Sequence, residues 1–366
     1  MKVAFSALKR RFDLHQQEYE EAACIVLNSG WYVLGNELKN FEESFAAYIG
    51  MRYGIGVNSG QDALILAVRA LGIGAGDEVI TQANAYIASV LGITENGATP
   101  VFVEPDEYFG MDADSLEKAI TPRTKAILPV HLYGHACDLK RIREIADRHG
   151  IPVIEDCAQC HGSSQNGIMA GAYGTISCFS FYPTKPLGAF GDAGACLTND
   201  PALDEKLRML RFYGSKKKYV SEILGVNSRM DEMQAALLCV GLKYVDEEKR
   251  MRQAIAERYL KEIRNPLITL PKTRSDVEHV YHIFAILCED RDGFAAYLEK
   301  QGVQVGMHYP IPPHLAPCYQ YLGYHRGDFP RAEYYSDHEV SLPIYAGMPK
   351  EEVDAVIDAV NSYRGD

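Results

Sequence analysis

Between residues 53 and 198 short apolar runs alternate with stretches of helical periodicity, and no other feature constrains the fold as strongly. The runs are "YGIGV" (53–57), "DEVIT" (77–81), "TPVFV" (99–103), "KAILPV" (125–130), "IPVIE" (151–155), "ISCFSF" (176–181) and "AGACLT" (193–198). Helical patterns such as "QDALILAVRALG" (61–72), "NAYIASVLGITENG" (84–97) and "DLKRIREIADRHG" (138–150) fall between most of them. Helices between strands imply βαβ crossovers, hence a mainly parallel seven-stranded sheet covered on both faces. The last two runs are joined only by a loop, which leaves antiparallel pairing open there.

Beyond residue 200 the pattern changes. Residues 230–264 form one long amphipathic pattern, expected to link two domains. After it, "VYHIFAILC" (280–288) reads as strand, while "RDGFAAYLEKQG" and "KEEVDAVIDAVNSYR" read as helices of a smaller α+β domain. The expected division is 1–240, a large α/β domain with an N-terminal arm, and 241–366. "HYPIPPHLAP" (308–317) reads as an ordered loop.

A sheet of this kind presents ligand sites at the carboxyl ends of its strands. Four ends carry unusual residues. "NSGQDAL" places Ser59 and Gly60 at a helix start, where free N–H groups suit a phosphate and equally suit a simple cap. Asp156 ends a buried strand, where a carboxylate needs a partner: a loop to cap, or a cationic ring nitrogen. In "TISCFSFYPTKPLGAFGDAGA" (175–195) Lys185 is the one charged residue between Thr175 and Gly191. A lysine in such surroundings loses its proton readily, and the neutral amine condenses with carbonyls; a lysine stretched to a loop edge is the plainer alternative. Ser180 and Tyr182 share one side of that strand. Tyr86, near a helix start in "TQANAYIAS", is placed to stack on a flat ring or to pack in the core. A phosphate cradle, a ring-nitrogen carboxylate, a stacking aromatic and an isolated lysine together meet the needs of pyridoxal 5′-phosphate. A dinucleotide-binding domain would need a glycine fingerprint that is absent, and would leave Lys185 unexplained.

"VIEDCAQCHGSS" (153–164) spells Cys-x-x-Cys-His, the pattern of c-type haem attachment, with half of a zinc site inside it. His131 or His135 would have to complete a zinc site with Cys157 and Cys160. Nine cysteines scattered through apolar segments are more simply buried hydrophobes, so no metal is expected. The net charge of −12 argues against a nucleic-acid partner. The N-terminus lacks a signal-peptide pattern and no apolar run reaches membrane-spanning length, so no membrane association is expected and a cytoplasmic location is.

"SGWYVLGNELKNFEESFAAYIG", "VNSGQDAL", "PVHLYGHACDL", "VIEDCAQCHGS", "SFYPTKPLGAFGDAGA" and "GVNSRMDEMQAA" closely resemble, in order, the sugar aminotransferases of the DegT/DnrJ/EryC1/StrS family. The resemblance implies fold type I, pyridoxal 5′-phosphate and a homodimer with shared active sites. It implies that Lys185 forms the Schiff base and that Asp156 pairs with the pyridinium nitrogen. It puts Gln159 beside the phenolic oxygen, Tyr86 on the ring, and Ser59, Gly60, Gln61 and Ser180 at the phosphate. Asn227 would reach the phosphate of the neighbouring subunit. Tyr182, His308, Tyr309 and Arg229 would lie toward the sugar nucleotide, with "SKKKY" (215–219) as a candidate attractor of the diphosphate; turn-holding and solvated-loop roles remain the alternatives for "HYP" and the lysines. Lysine at 185, where dehydratase relatives have histidine, favours amino transfer. The implied reaction moves the amino group of L-glutamate to a nucleotide-linked keto sugar, C3 of a dTDP-3-keto-6-deoxyhexose above others, for amino sugars of O-antigen, S-layer glycan or antibiotics. UDP-linked 3-keto uronates, 4-keto sugars and a non-catalytic regulatory protein on the same fold are the other readings.

Overall fold

The structure, a computed structural model, describes residues 2–365. Three helices open the chain: α1 (Leu8–Leu14), α2 (Gln16–Ser29) and α3 (Asn36–Ile49). The seven expected strands follow as β1 (Tyr53–Val57), β2 (Glu78–Gln82), β3 (Thr99–Val103), β4 (Thr124–Leu128), β5 (Ile154–Asp156), β6 (Ile176–Ser180) and β7 (Gly194–Thr198). β1, β7, β6 and β5 are hydrogen-bonded in that order, as are β4, β2 and β3. Parallel bridges Ile127–Val153 and Val130–Asp156 join the two groups into one sheet. Only β7 runs antiparallel, to β1 on one side and β6 on the other. This resolves the pairing the sequence left open: a 13-residue loop is too short for a covered crossover, so the chain turns straight back.

Apolar side chains make this sheet bury both faces. Ile55, Val57, Ile154, Ile176 and Cys196 pack under α4 (Gly60–Ala70), while Phe179, Ala195 and Leu197 pack under α3 on the other side. The helix expected from residue 84 is α5 (Ile87–Thr94). It starts later because Ala83 N–H still bonds Val103 and the Asn84 amide holds the Phe109 carbonyl.

The long amphipathic pattern is one 31-residue helix, Glu232–Glu262. Its first turns bury Ala235 and Leu238 in the core below the sheet, and its last turns bury Ile255, Ala256 and Tyr259 in a separate core. The expected division at residue 240 therefore falls inside a helix that belongs to both cores. The second core surrounds an antiparallel sheet of Ile268–Thr269, Phe284–Cys288 and Glu339–Leu342. Val3 pairs with Val303, so the N-terminal segment crosses back onto this unit and passes over the carboxyl edge of the large sheet. No helix among the described residues is long and apolar enough to cross a membrane.

Candidate active site

A cavity of about 610 Å³ opens at the edge where β1, β5 and β6 end and β7 begins. The register brings the ends together: Val57 and Ser180 both pair with Gly194. Ser59 caps α4 by accepting the Asp62 N–H at 3.1 Å, and its carbonyl takes the Ala63 N–H. The N–H groups of Gly60 and Gln61 are left without a protein acceptor among the described residues, as helix starts leave them. Ser180 stands against that turn. A Cβ on Gly60 would come within 2.9 Å of the Ser180 Cα, and one on Gly194 within 2.7 Å of the Gly60 nitrogen, so only glycines allow this approach. The result is an anion cradle of main-chain donors and hydroxyls.

Adjacent acids on β5 show how strand alternation divides roles. Glu155 points away from the cavity and is saturated by His131 and by the N–H groups of Gly171, Tyr173 and Gly174. Asp156 points into the cavity. Its Oδ2 accepts the Ser89 hydroxyl at 2.6 Å and its Oδ1 the Ala158 N–H at 3.0 Å, which fixes the carboxylate in place. Ser89 lies on the first turn of α5, whose N-cap is Tyr86. Tyr86 packs at 4.6 Å on Tyr309, lines the cavity and is 46% exposed. Gln159 is held from both ends: its Oε1 accepts the Tyr133 N–H at 2.6 Å, and its Nε2 donates to the Tyr309 hydroxyl at 3.0 Å.

Lys185 lies in the loop between β6 and β7 and lines the same cavity. Burial pulls its ammonium down to about 8 from an ordinary value of 10.5, and the Asp156 charge opposes that shift. Tyr182 and His308 complete the rim, with Phe5, Arg11, Arg252 and His282. Asn227 and Arg229 do not line the cavity. Asn227 is exposed beside Phe212, and Arg229 lies over the rings of Phe212 and Tyr213 at 5.7 and 5.6 Å.

Cys157, Cys160 and His131 do gather, with possible ligand atoms within 4.8 Å of one another and all three buried. Both His131 nitrogens are engaged, however: Nε2 lies 3.0 Å from Glu155 and Nδ1 accepts the Cys137 N–H. His135 instead stacks on Tyr108, and His161 is enclosed by Phe45, Phe179 and Phe181. Burial pushes the Cys157 thiol well up and the Cys160 thiol up, toward the protonated form. Both cysteines sit in the buried core with Phe45, Phe179 and Phe181.

Sequence reasoning missed Ser89, Tyr133, Arg11, Arg252, His282 and the residues Phe5 to Leu8. None carries a local signal; Ser89 is 67 residues from the carboxylate it holds.

The donor set fits pyridoxal 5′-phosphate: a dianion cradle at one end, a fixed carboxylate at the other, an aromatic and an amide between them, and a readily deprotonated amine within the same cavity. Fold and cavity are those of fold-type I enzymes, and the protein is a PLP-dependent aminotransferase. Residues 13–361 match the DegT/DnrJ/EryC1/StrS aminotransferase family, and the chain belongs to it. It is 48% identical over 364 residues to the dTDP-3-amino-3,4,6-trideoxy-alpha-D-glucose transaminase of Streptomyces venezuelae, spanning 99% of this chain and 96% of that one. It is 49% identical over 362 residues to the dTDP-3-amino-3,6-dideoxy-alpha-D-galactopyranose transaminase of Aneurinibacillus thermoaerophilus, spanning 99% of both. The crystal structure of S. venezuelae DesV in complex with ketimine intermediate matches it with a TM-score of 0.97 at 48% identity over 100% of both chains.

Proposed function

We propose that this chain transfers the amino group of L-glutamate to C3 of a dTDP-linked 3-keto-6-deoxyhexose, working as a homodimer. The observation that carries the substrate reading is near-half identity, over almost the whole chain, to two transaminases named for dTDP-3-amino sugars. Bound pyridoxal 5′-phosphate supplies the carbonyl that accepts and returns nitrogen and the ring that withdraws electrons. In this reading Ser59, Gly60, Gln61 and Ser180 bind its phosphate, and Asp156, held by Ser89, accepts the ring N–H. Tyr86 covers one ring face and Gln159 lies beside the phenolic oxygen. Lys185 Nζ, neutral for part of the time near pH 8, takes a proton from the carbon that loses it and returns it to the carbon that gains it. Tyr182, His308 and Tyr309 orient the sugar.

The dimer reading draws on two features. Asn227 and Arg229 stand outside their own cavity and are assigned to the neighbour's. Large apolar side chains, Ile25, Leu27, Trp31, Tyr32, Tyr219 and Leu224 among them, are also exposed in the single chain, as residues of pairing surfaces often are.

The test is a panel of dTDP- and UDP-linked 3-keto and 4-keto sugars offered with glutamate, the new C–N bond being located by NMR. Turnover of a dTDP-3-keto-6-deoxyhexose is expected, and turnover of only UDP-linked or 4-keto substrates would overturn it. Light scattering should give a mass of two chains.

A further inference from the structure

Glu339 is fully enclosed, yet it has no ion pair among the described residues. The other buried glutamates are neutralised or saturated: Glu42 by Arg208 and Arg211, Glu78 by Arg123, Glu248 by Arg11, Glu352 by Arg10, Glu155 and Glu333 by a histidine and main-chain N–H groups, and Glu232 by the N–H groups of Gly35, Glu37 and Leu38. Glu339 instead bonds toward the active-site cavity. Its Oε2 accepts the main-chain N–H of His308 at 2.6 Å, and its Oε1 accepts the Ser341 hydroxyl. The Ser341 Oγ lies 2.7 Å from His308 Nδ1. His308 lines the cavity, and its Nε2 has no partner among the described residues. Carboxylate, hydroxyl and imidazole form a single file from the interior to the cavity wall.

The imidazole and its backbone are held separately. Phe5 stacks on it at 5.7 Å, and the Tyr133 hydroxyl donates to the His308 carbonyl. What can change is which nitrogen carries the proton. With Glu339 ionised, Ser341 donates to the carboxylate and accepts from Nδ1–H, so Nε2 presents a lone pair. With Glu339 neutral, its hydroxyl donates to Ser341, Ser341 donates to Nδ1, and Nε2–H faces the cavity.

We propose that Glu339 and Ser341 are positioning residues that relay protons to and from His308, so that His308 Nε2 exchanges a proton with the sugar end of the substrate while the charge resides on Glu339. The inference rests on the sugar-aminotransfer reading of this cavity. Replacing a keto oxygen by nitrogen expels that oxygen as water, which needs a proton. In the relay step the C–O bond breaks with its electron pair on oxygen, and that oxygen takes the proton of Nε2. Nδ1 gives up no proton; it receives the one from Ser341 Oγ, which in turn receives the one from Glu339. The ring stays neutral, and one proton has passed from Glu339 to the departing water.

The surroundings agree with this division. Burial pushes Glu339 up to about 8, opposed by the hydrogen bonds from the His308 N–H and the Ser341 hydroxyl and then by the Arg291 charge, and pulls His308 down to about 4, the Lys185 charge adding to the shift. Tyr133 and Tyr309 also face Glu339, and His282 faces His308. Near neutral pH the file stores its proton on the carboxyl group and not on the imidazole.

The test uses the holoenzyme with ¹⁵N-labelled histidine, the His308 signals being assigned by their loss in His308→Gln. In the wild type the proton should move from Nε2 to Nδ1 as pH rises through about 8. Glu339→Gln should abolish that exchange, and so should Ser341→Ala, which also serves if the first variant fails to fold. In both variants kcat for the keto-sugar half-reaction should fall by about 10²-fold, the low end for loss of a general acid, and lose its decline above pH 8. The glutamate half-reaction should fall less. A His308 tautomer that does not change with pH in the wild type, or that changes equally in both variants, overturns the relay. Failure of every keto-sugar nucleotide to react would instead overturn the functional reading, and the NMR titration would still decide the relay.

Discussion

Arg11 clamps the backbone that carries Lys185. Its Nη1 donates to the Lys185 carbonyl at 3.0 Å, its Nη2 donates to the Pro186 carbonyl at 2.8 Å, and its Nε pairs with buried Glu248. A residue of the first helix thus fixes the loop between β6 and β7. Arg11→Ala leaves Glu248 with only Arg252, 3.9 Å away, and should cost about 3 kcal/mol, the usual scale for stranding one partner of a buried pair. Denaturant titration checks the cost. Arg11→Lys, which keeps the charge and loses the two-carbonyl grip, should recover part of the stability and less of kcat.

Lys185 gives a pH signature. Its ordinary value is 10.5 and its value in the folded chain about 8, so the folded state binds fewer protons between those limits. The lysine therefore lowers stability fully below pH 8, and the penalty vanishes as pH rises past 10.5. Apo Lys185→Met should melt higher than apo wild type at pH 7, with the gap closing toward pH 10. Lys185→Ala should lose the glutamate half-reaction by about 10²- to 10⁴-fold or more. A variant retaining the full rate would remove Lys185 from the chemistry.

Ser89→Ala removes the 2.6 Å hydrogen bond that aims Asp156. A hydrogen bond to a charged group contributes about 1.5–3 kcal/mol. Cofactor affinity, followed by fluorescence, should drop by roughly tenfold or more while the fold persists. Equal affinity in the variant would mean that Asp156 needs no such hold.

Gly60→Ala forces a methyl group into Ser180. Overpacking costs about 1–3 kcal/mol. The larger effect should appear in phosphate binding, because the displaced parts are the cradle itself. Inorganic phosphate should compete with pyridoxal 5′-phosphate for the wild type and much more weakly for the variant.

Cys157→Ala with Cys160→Ala should leave aminotransferase activity near the wild-type level and lower stability by about 1 kcal/mol per lost sulfur contact set. Metal analysis of the purified wild type should find no stoichiometric metal at these thiols. Loss of activity on substitution would contradict the packing role that the engaged nitrogens of His131 imply.

Much of the molecule was legible in the chain itself, because alternating apolar runs and helical patterns are local. They fixed the seven strands, most helices and the residues at strand ends: Ser59, Asp156, Ser180 and Lys185 announced themselves by unusual residue type beside a regular element. With Tyr86 they already met the needs of pyridoxal 5′-phosphate, and the resemblance added Gln159, Asn227 and the sugar-nucleotide substrate. What joins distant segments was not legible. The pairing of β7 with β1, the Ser89 hold on Asp156, the Arg11 clamp on Lys185 and the file from Glu339 to His308 each bring together residues far apart in sequence. Nothing local marks Glu339 as different from any other glutamate at a strand start, or Arg11 as different from Arg10 beside it. Burial and hydrogen-bond partners distinguish them, and both are properties of the folded packing: a side chain's chemistry is set by its dielectric surroundings and its neighbours, which exist only once the chain has closed on itself.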